Sequence, residues 1–368
     1  MKRFAVITLA LCLLLLCGCG PTYDVPYTST QNNSGDAGTP TTDAADPTTE
    51  PATDAPVLYR HPLTGEPLDA PFNTRPVAVV INNLKKCLPQ HGISEADMMY
   101  EVETEGGITR FLAVYTDLSQ VASIGPVRSL RTFFTSIAES YDSPTIHCGG
   151  SVKGLKGMHD INNKLGDWEH IDQRFNGKYF YRDQNRKKQG YALEHTLFTT
   201  GELLTEALAA KKFDTVYDSE VSYGLQFADE VALDGETANT VTVTFTGKKT
   251  TTLTLDASTG LYKASQYKKD HIDGTNKEVM SYRNVLVLQT THRKEHDGYY
   301  SRSYYNLTGE GEGYFACDGK IVPIKWSRKK VSDNFSYTLA DGTPITLGVG
   351  KSYVAVIGRS GAAGVKYE

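Results

Sequence analysis

The chain has 368 residues, of which 38 are Lys or Arg and 43 are Asp or Glu, so its formal net charge is −5. Without Lys2, Arg3 and the six acids of residues 20–56, residues 57–368 carry a net charge of about −1, and this near-neutral balance argues against a general nucleic-acid or polyanion binder, because such proteins carry a large excess of basic side chains. The length exceeds what one hydrophobic core usually serves, so we predict two domains behind the amino-terminal region.

The chain begins with an export signal. Two basic residues precede an apolar run at residues 4–16, which is too short for a transmembrane helix and typical of a signal peptide. The letters LCGC that follow match the bacterial lipobox pattern, which implies cleavage after Gly18 and a lipid on Cys19. An ordinary secretory signal with a chance cysteine is the alternative. We therefore predict a lipoprotein signal peptide at residues 1–18 and a position on the outer face of the cell membrane.

Residues 19–56 are predicted to hold the lipidated cysteine and a tether. Residues 20–56 are rich in Thr, Pro, Asp and Ala and contain no Lys or Arg. Such a stretch cannot bury enough apolar area to offset the entropy cost of ordering, so we predict disorder. A random coil of this length spans about 35 Å.

Residues 57–215 alternate short apolar strands with helical stretches, which predicts a mixed α/β domain. We predict strands at 77–81, 111–116 and 145–150, and helices at 95–100, after Gly125 and at 201–213. Ser94 followed by Asp97 is a start signal for the first helix.

Residues 216–368 lose helical periodicity and show period-two alternation at 240–245, 251–256 and 284–290. Asp318-Gly319 and Asp341-Gly342 each lie between alternating runs, the strongest short-range signal for a β-hairpin. We therefore predict an α+β chain, in which a mixed α/β amino-terminal domain is followed by a mostly antiparallel β carboxy-terminal domain.

Several segments resemble one family, the YerB-like lipoproteins of Gram-positive bacteria. The amino-terminal half of that family is similar to RPVAVVINN (75–83), ISEADMMYEVETEGGITRFLAVY (93–115), IGPVRSLRTFF (124–134) and HCGGS (147–151). Its carboxy-terminal half is similar to NVLVLQT (284–290), GEGEGYFACDGK (309–320) and IKWSR (324–328). The resemblance implies a two-domain, lipid-anchored protein. It implies no activity, because the family has none assigned.

Two arginines lie where a helix is predicted to open. A helix N-terminus attracts anions, and Arg128 and Arg131 are three residues apart, so they can converge on one anion. Glu101 and Glu105 are nearby candidates, four residues apart on one helix face if the helix persists, and Arg110 follows them. Three interpretations stay open: a buried Arg–Glu network, an exogenous anion such as phosphate or carboxylate, and catalysis.

Two further segments carry polar candidates. HCGGS follows a predicted strand, and its glycines let the backbone approach a ligand there. Ser151 either caps a following helix or acts as a nucleophile with His147 or His195 as its base. In YFYRDQNRKK, Asp183 next to Arg182 either orients His195 for acid–base work or belongs to a solvated loop with aromatic anchors.

Three motif matches are rejected, so we predict no cofactor and no metal site. GVGKS lacks the first glycine of a phosphate loop, HRKEH follows a strand instead of lying on a helix, and GEGEG lacks the strand-then-helix setting of a dinucleotide site. The three cysteines outside the signal and lipid site are scattered and form no disulfide framework. A bond between Cys87 and Cys148 stays open.

Two functional hypotheses follow, and neither includes nucleic acid as a partner. In the first, a lipid-anchored, non-catalytic protein binds an anionic envelope ligand or an envelope protein through an Arg/Glu/His cleft in the amino-terminal domain. Its candidate ligand-binding residues are Glu101, Glu105, Arg110, Arg128, Arg131, His147, Ser151, Arg182, Asp183 and His195. In the second, a cell-envelope hydrolase or transferase uses Glu101 or Glu105 with His195 for proton transfer in the same cleft.

Overall fold

β-Strands are the main regular secondary structure of the described residues, and helices are few. The computed structural model describes residues 59–150, 169–218, 223–296, 301–359 and 361–368, all within the compact unit Pro56–Glu368. The predicted signal peptide, the lipid site at Cys19, the tether and Ser151 lie outside the described residues. In the described ranges no helix combines the length and apolar content needed to cross a membrane.

The elements are numbered along the described chain. In the first half the strands are β1 (Tyr59–Arg60), β2 (Pro67–Leu68), β3 (Val77–Asn82), β4 (Met98–Glu103), β5 (Thr109–Tyr115), β6 (Thr145–His147), β7 (His170–Asp172), β8 (Tyr181–Arg182) and β9 (Leu197–Phe198). In the second half they are β10 (Phe227–Ala228), β11 (Glu236–Thr237), β12 (Thr240–Thr246), β13 (Lys249–Asp256), β14 (Leu261–Gln266), β15 (Lys269–Asp270), β16 (Ser281–Tyr282), β17 (Asn284–Thr290), β18 (His292–His296), β19 (Ser301–Tyr305), β20 (Gly309–Cys317), β21 (Lys320–Arg328), β22 (Ser336–Thr338), β23 (Leu347–Gly348), β24 (Ser352–Gly358) and β25 (Gly364–Tyr367). The α-helices are α1 (Thr132–Glu139), α2 (Gln184–Lys188) and α3 (Gly201–Lys211), and 3₁₀ turns span Lys85–Cys87, Gly177–Tyr179 and Leu193–His195.

One large sheet joins both halves of the chain. Its strand order is β11-β21-β20-β17-β24-β4-β5-β3-β6-β7, with β22 beside β21. Near the carboxyl end, β24 lies parallel to both neighbours, pairing Ser352 with Asn284 of β17 on one side and with Met98 of β4 on the other. β24, from the second half of the chain, is therefore the strand that joins the second-half strands of the sheet to the first-half strands.

The large sheet is covered on both faces. Alternate residues of β3 enter two different cores, with Val79 and Ile81 in one and Ala78 and Val80 in the other, as the pleat of a strand requires. A six-stranded sheet, in the order β15-β14-β13-β12-β25 with β16 beside β14, closes the first core together with α3. The second core is closed by α1. Strands buried on both faces read as continuous apolar runs, which β3 does.

The helix predicted at residues 95–100 is wrong, because β4 begins at Met98. All six β4 residues are buried, so their sequence shows no alternation that would distinguish a strand from a buried helix. The expected capping residues have other partners: Ser94 Oγ donates to Asp273 at 3.1 Å, and Thr116 Oγ1 donates to Asp97 at 2.7 Å. Tertiary contacts override the local helix signal here.

The helix predicted after Gly125 begins only at Thr132. The residues before it are extended and form isolated bridges with four separate segments, Ile124 with Thr199, Gly125 with His91, Val127 with Ile81 and Leu130 with Gly150. Gly125 has a φ of +149°, and a Cβ atom there would lie 2.8 Å from the Leu197 carbonyl oxygen. Both arginines of the segment therefore precede the helix.

The other predicted elements are confirmed. The strands expected in the first half correspond to β3, β5 and β6, the helix at 201–213 corresponds to α3, and the alternating runs of the second half correspond to β12, β13 and β17. Asp318-Gly319 forms the turn between β20 and β21, and Asp341-Gly342 lies in a short hairpin in which Leu339 N donates to the Thr343 carbonyl at 2.8 Å and Ile345 N to the Tyr337 carbonyl at 3.1 Å. The mixed α/β description of residues 57–215 is not confirmed.

Candidate functional site

A cleft of about 400 Å³ opens beside the extended segment that contains Arg128. Its lining combines charged and polar side chains with apolar ones, Val127, Arg128, Ser129, Cys148, Arg182, Leu193, Glu194 and Leu197. Apolar walls with a few convergent polar groups are typical of ligand sites. This cleft is therefore the candidate functional site.

Backbone hydrogen bonds from three elements fix the position of the cleft. Arg128 N donates to the Val80 carbonyl of β3 at 2.9 Å, and Cys148 N, directly after β6, donates to the Arg128 carbonyl at 3.1 Å. Val127 N donates to the Leu197 carbonyl of β9 at 2.8 Å. The fold thus gathers residues that are far apart in sequence.

The two cleft arginines keep donors available. Arg128 Nη1 donates to Glu194 Oε2 at 3.2 Å and to the Glu194 carbonyl at 3.3 Å, while its buried Nε has no partner among the described residues. Arg182 Nη1 donates to the Leu193 carbonyl at 2.6 Å. Because a guanidinium has five N–H donors, both side chains can still bind an anion in the cleft.

A second group of charges adjoins the cleft at Ser129. Glu105 accepts from Arg131 Nε at 3.0 Å and pairs with Arg110 at 3.2 Å and Arg302 at 3.3 Å. Arg110 Nη1 also donates to the Ser129 carbonyl at 2.6 Å. Burial alone raises the pKa of Glu105, but the charges of Arg131 and Arg110 outweigh it and hold that pKa at about 2. Glu105 is therefore a permanent anion at neutral pH.

The two arginines of the extended segment serve different groups. Side chains three residues apart on extended backbone point to opposite sides, so Arg128 faces the cleft while Arg131 faces Glu105. Arg110 and Arg131 are only 2% and 4% exposed, which agrees with the buried-network interpretation for this pair. Burial lowers the pKa of Arg110, and the charge of Arg131 adds to that effect.

Glu101 lies in the interior between the two sheets and does not line the cleft. Its carboxylate accepts from Thr109 Oγ1 at 2.6 Å, Tyr353 OH at 2.7 Å, Thr251 Oγ1 at 2.8 Å and Asn83 Nδ2 at 2.9 Å, and pairs with Lys249 Nζ at 2.8 Å. Burial raises its pKa, but the Lys249 charge outweighs this and leaves that pKa lowered. The prediction that Glu101 and Glu105 share one helix face is wrong, because Glu101 is in β4 and Glu105 follows that strand.

His147 belongs to a buried histidine pair. Its Nδ1 donates to the Gly149 carbonyl at 2.8 Å, so its Nε2 accepts from His170 Nδ1 at 3.0 Å. Burial lowers the pKa of His147 to about 4, against the opposing charge of Asp172. Both ring nitrogens of a neutral His147 are therefore occupied, and the adjacent Cys148 is the residue that reaches the cleft.

His195 lies beside the cleft, next to Glu194. Asn82 Oδ1 accepts from Leu84 N at 3.1 Å, which orients the amide so that its Nδ2 donates to His195 Nδ1 at 3.0 Å. The ring proton is then on Nε2, which lies 3.6 Å from Glu194 Oε1. Burial lowers the pKa of His195, so the ring is neutral at neutral pH.

Asp183 caps a helix instead of orienting His195. Its carboxylate accepts from Asn185 N at 2.8 Å and Arg186 N at 3.2 Å, at the start of α2. Aspartate is a preferred N-cap residue, so this role was available from the sequence. Of this segment, Arg182 is the predicted residue that reaches the cleft.

Sequence reasoning missed several members of these groups. It did not assign Cys148 or Glu194 to a site, and it did not foresee Lys249 or Arg302 as partners of the glutamates. Lys249 offered a signal, because it falls in phase with the buried positions of β13. Cys87 and Cys148 are both free thiols, so the disulfide bond that the sequence left undecided does not form between them.

Comparison with known proteins follows the two halves of the chain. Residues 63–214 match the family described as protein of unknown function (DUF3048) N-terminal domain, and residues 241–354 match the corresponding C-terminal domain. The "Putative lipoprotein YerB" of Bacillus subtilis strain 168 is 27% identical over 322 residues, which cover 83% of this chain and 88% of the relative. The crystal structure of B. subtilis YerB matches with a TM-score of 0.68 at 26% identity and covers 83% of this chain and 99% of that chain. The chain therefore belongs to the two-domain YerB-like DUF3048 family, whose members are described as proteins of unknown function.

Proposed function

We propose that the protein is a lipid-anchored, non-catalytic binder that holds an anionic group of a cell-envelope ligand or partner in the cleft at Arg128. The observation that carries this proposal is the pair of guanidiniums, Arg128 and Arg182, that line one cleft and use only their Nη1 atoms in hydrogen bonds with the described residues. Planar guanidiniums suit phosphate and carboxylate, which they bind through paired hydrogen bonds. Glu194, whose side chain is 52% exposed, can move aside when an anion takes its place on Arg128.

The neighbouring charges support the same ligand class. Arg110 and Arg131 adjoin the cleft at Ser129, and they share the carboxylate of Glu105 with Arg302. Three guanidiniums around one carboxylate add a positive field to the cleft, and a field of this kind raises the local concentration of anions.

The expected location supports an envelope ligand. The B. subtilis relative carries the name of a lipoprotein, and a lipid on Cys19 would hold the folded part of this chain at the outer face of the membrane. All of the cleft-lining residues fall within residues 57–215, which we propose as the amino-terminal domain.

A hydrolase or transferase has weaker support. Glu101 and Glu105 are both ion-paired with lowered pKa values, and a general acid at neutral pH needs a raised one. His195 is neutral, but in the described structure neither glutamate contacts it.

Thermal unfolding of the chain from Pro56 onward tests the proposal. The probes are inorganic phosphate, glycerol phosphate oligomers, phosphorylated sugars and peptidoglycan fragments. We expect one anionic probe to raise the melting temperature of the wild type and of Arg293→Ala, because Arg293 is an exposed, glutamate-paired arginine that does not line the cleft. Arg128→Ala and Arg182→Ala should lose that rise. If no probe shifts the wild type, or if Arg128→Ala responds equally, the cleft is not an anion site.

A further inference from the structure

One segment that contributes to the cleft lining, residues 174–194, is rich in basic side chains. Residues 174–194 contain six basic side chains and two acidic ones, in a chain whose overall net charge is negative. Two of the basic residues, Lys187 and Lys188, are exposed in α2 and have no side-chain partner among the described residues. A local basic surface of this kind attracts anionic partners.

The same segment exposes apolar side chains. Among the described residues six large apolar side chains are markedly exposed, and three of them fall here, Phe175 at 72%, Leu193 at 60% and Tyr181 at 38%. Leu193 lines the cleft, and Gln173, two residues before Phe175, accepts from the Sγ of Cys148 in the same cleft at 3.3 Å. Leu193 is therefore part of the cleft lining, and Phe175 is two residues from a side chain that contacts that lining.

The segment is anchored to the body of the protein. Arg186 Nη1 donates to the Cys87 carbonyl at 2.7 Å, and its guanidinium lies 4.8 Å from the centre of the Phe198 ring. Tyr191 OH donates to the Leu88 carbonyl at 3.0 Å. These contacts hold the inner side of the segment in place. Its lysines and apolar side chains are exposed, and the backbone that carries them does not have to become ordered on binding, which lowers the entropy cost.

We propose that residues 174–194 form a membrane-docking surface for anionic phospholipids, in which Phe175 and Leu193 enter the headgroup region and the neighbouring basic residues contact lipid phosphates. Apolar side chains beside lysine and arginine are the combination that binds the interface of an anionic bilayer. This surface borders the cleft and shares Arg182, Leu193 and Glu194 with its lining, but its binding to lipid does not require a ligand in the cleft.

Because the predicted tether would keep the folded part close to the membrane, a weak affinity for lipid is sufficient for docking. A chain of 37 residues between Cys19 and Val57 spans about 35 Å, so the lipid would keep this surface within reach of the membrane. Binding of a tethered domain is an intramolecular event at high effective concentration. Each basic residue near an anionic surface contributes about a fivefold gain in binding.

Sedimentation with lipid vesicles tests the proposal with the chain from Pro56 onward. The vesicles contain phosphatidylglycerol with phosphatidylcholine in equal parts, or phosphatidylcholine alone. We expect binding to the anionic vesicles only, weakened by salt because the charges are exposed. Lys187→Gln with Lys188→Gln should reduce binding about 30-fold, and Phe175→Ala about 10-fold.

Matched variants at a distant exposed site serve as controls. Lys329→Gln with Lys330→Gln removes another adjacent lysine pair, and Val331→Ala removes another exposed apolar side chain. Both should bind within about twofold of the wild type. The proposal is overturned if the wild type does not bind anionic vesicles, or if the control pair weakens binding as much as the Lys187 pair. Arg128→Ala should keep most of the vesicle binding, which separates this surface from the cleft ligand.

Discussion

Replacing Glu105 by glutamine tests the ion-pair cluster next to the cleft. The pKa of Glu105 is about 2 in the folded protein against an ordinary value of 4.5, which corresponds to about 3 kcal/mol of stabilisation. This stabilisation is complete above pH 4.5 and is lost as the pH falls toward 2, since the unfolded chain takes up the proton first. Glutamine removes the charge that Arg110, Arg131 and Arg302 share. We therefore expect the free energy of unfolding at neutral pH to fall by about 3 kcal/mol.

Urea unfolding followed by circular dichroism measures this loss at several pH values. The wild type should lose stability steeply on acidification from about pH 4.5, while Glu105→Gln should lose less, so that the two converge at low pH. Glu310→Gln, at an exposed position of β20, is the control and should follow the wild type. The reasoning is refuted if Glu105→Gln lies within about 0.5 kcal/mol of the wild type at neutral pH, or if its acid limb is equally steep.

Three further predictions concern buried and cleft groups. Lys249→Met should lower the free energy of unfolding by about 3–5 kcal/mol, because it leaves the Glu101 carboxylate buried without its cation. Adding Glu101→Gln should recover part of that loss in a double-mutant cycle, and strictly additive losses would contradict the pairing. The His147 ring should titrate by NMR near pH 4, because burial disfavours its charged form, so its contribution to stability is complete above pH 6.5 and falls toward pH 4. A midpoint near 6.5 would show that the ring is solvated. In the folded chain from Pro56 onward, Cys148 should react with a thiol reagent faster than the buried Cys87 and Cys317. An anionic probe in the cleft should slow the reaction of Cys148. Equal rates for all three would place Cys148 in the core.

Short-range sequence patterns, namely alternating burial and turn residues, were sufficient to predict several elements of the second half. The alternation of β12 and β13 and the Asp318-Gly319 turn follow from period-two burial and turn chemistry, and the structure has all three. The capping pair Ser94 and Asp97 failed because Asp273 and Thr116 are their partners and because β4 pairs with the distant β24 as well as with β5. No signal near residue 97 encodes a strand that lies more than two hundred residues away.

The candidate site was predicted in its residue types but not in its grouping. Arg128 and Arg182 line one cleft and His195 lies beside it, next to Glu194, whereas Glu101, Arg131 and His147 do not line it. The sequence could not separate Glu101 from Glu105, because their fates depend on partners in the other half of the chain, Lys249 for one and Arg302 for the other. No rule of sequence spacing predicts ion pairs between residues that are so far apart in the chain.

The Arg128 side chain offers the most direct test of the central claim, that the cleft binds an anion. The Nε–H resonance of Arg128 in the chain from Pro56 onward can be followed by NMR while glycerol phosphate oligomers or inorganic phosphate are added. We predict a saturable shift of the Arg128 and Arg182 resonances, because an anion would occupy donors that are now unused, while the resonance of exposed Arg293 stays unchanged. If Arg128 and Arg293 shift together and without saturation, phosphate acts only as a general screening ion and the cleft is not a binding site.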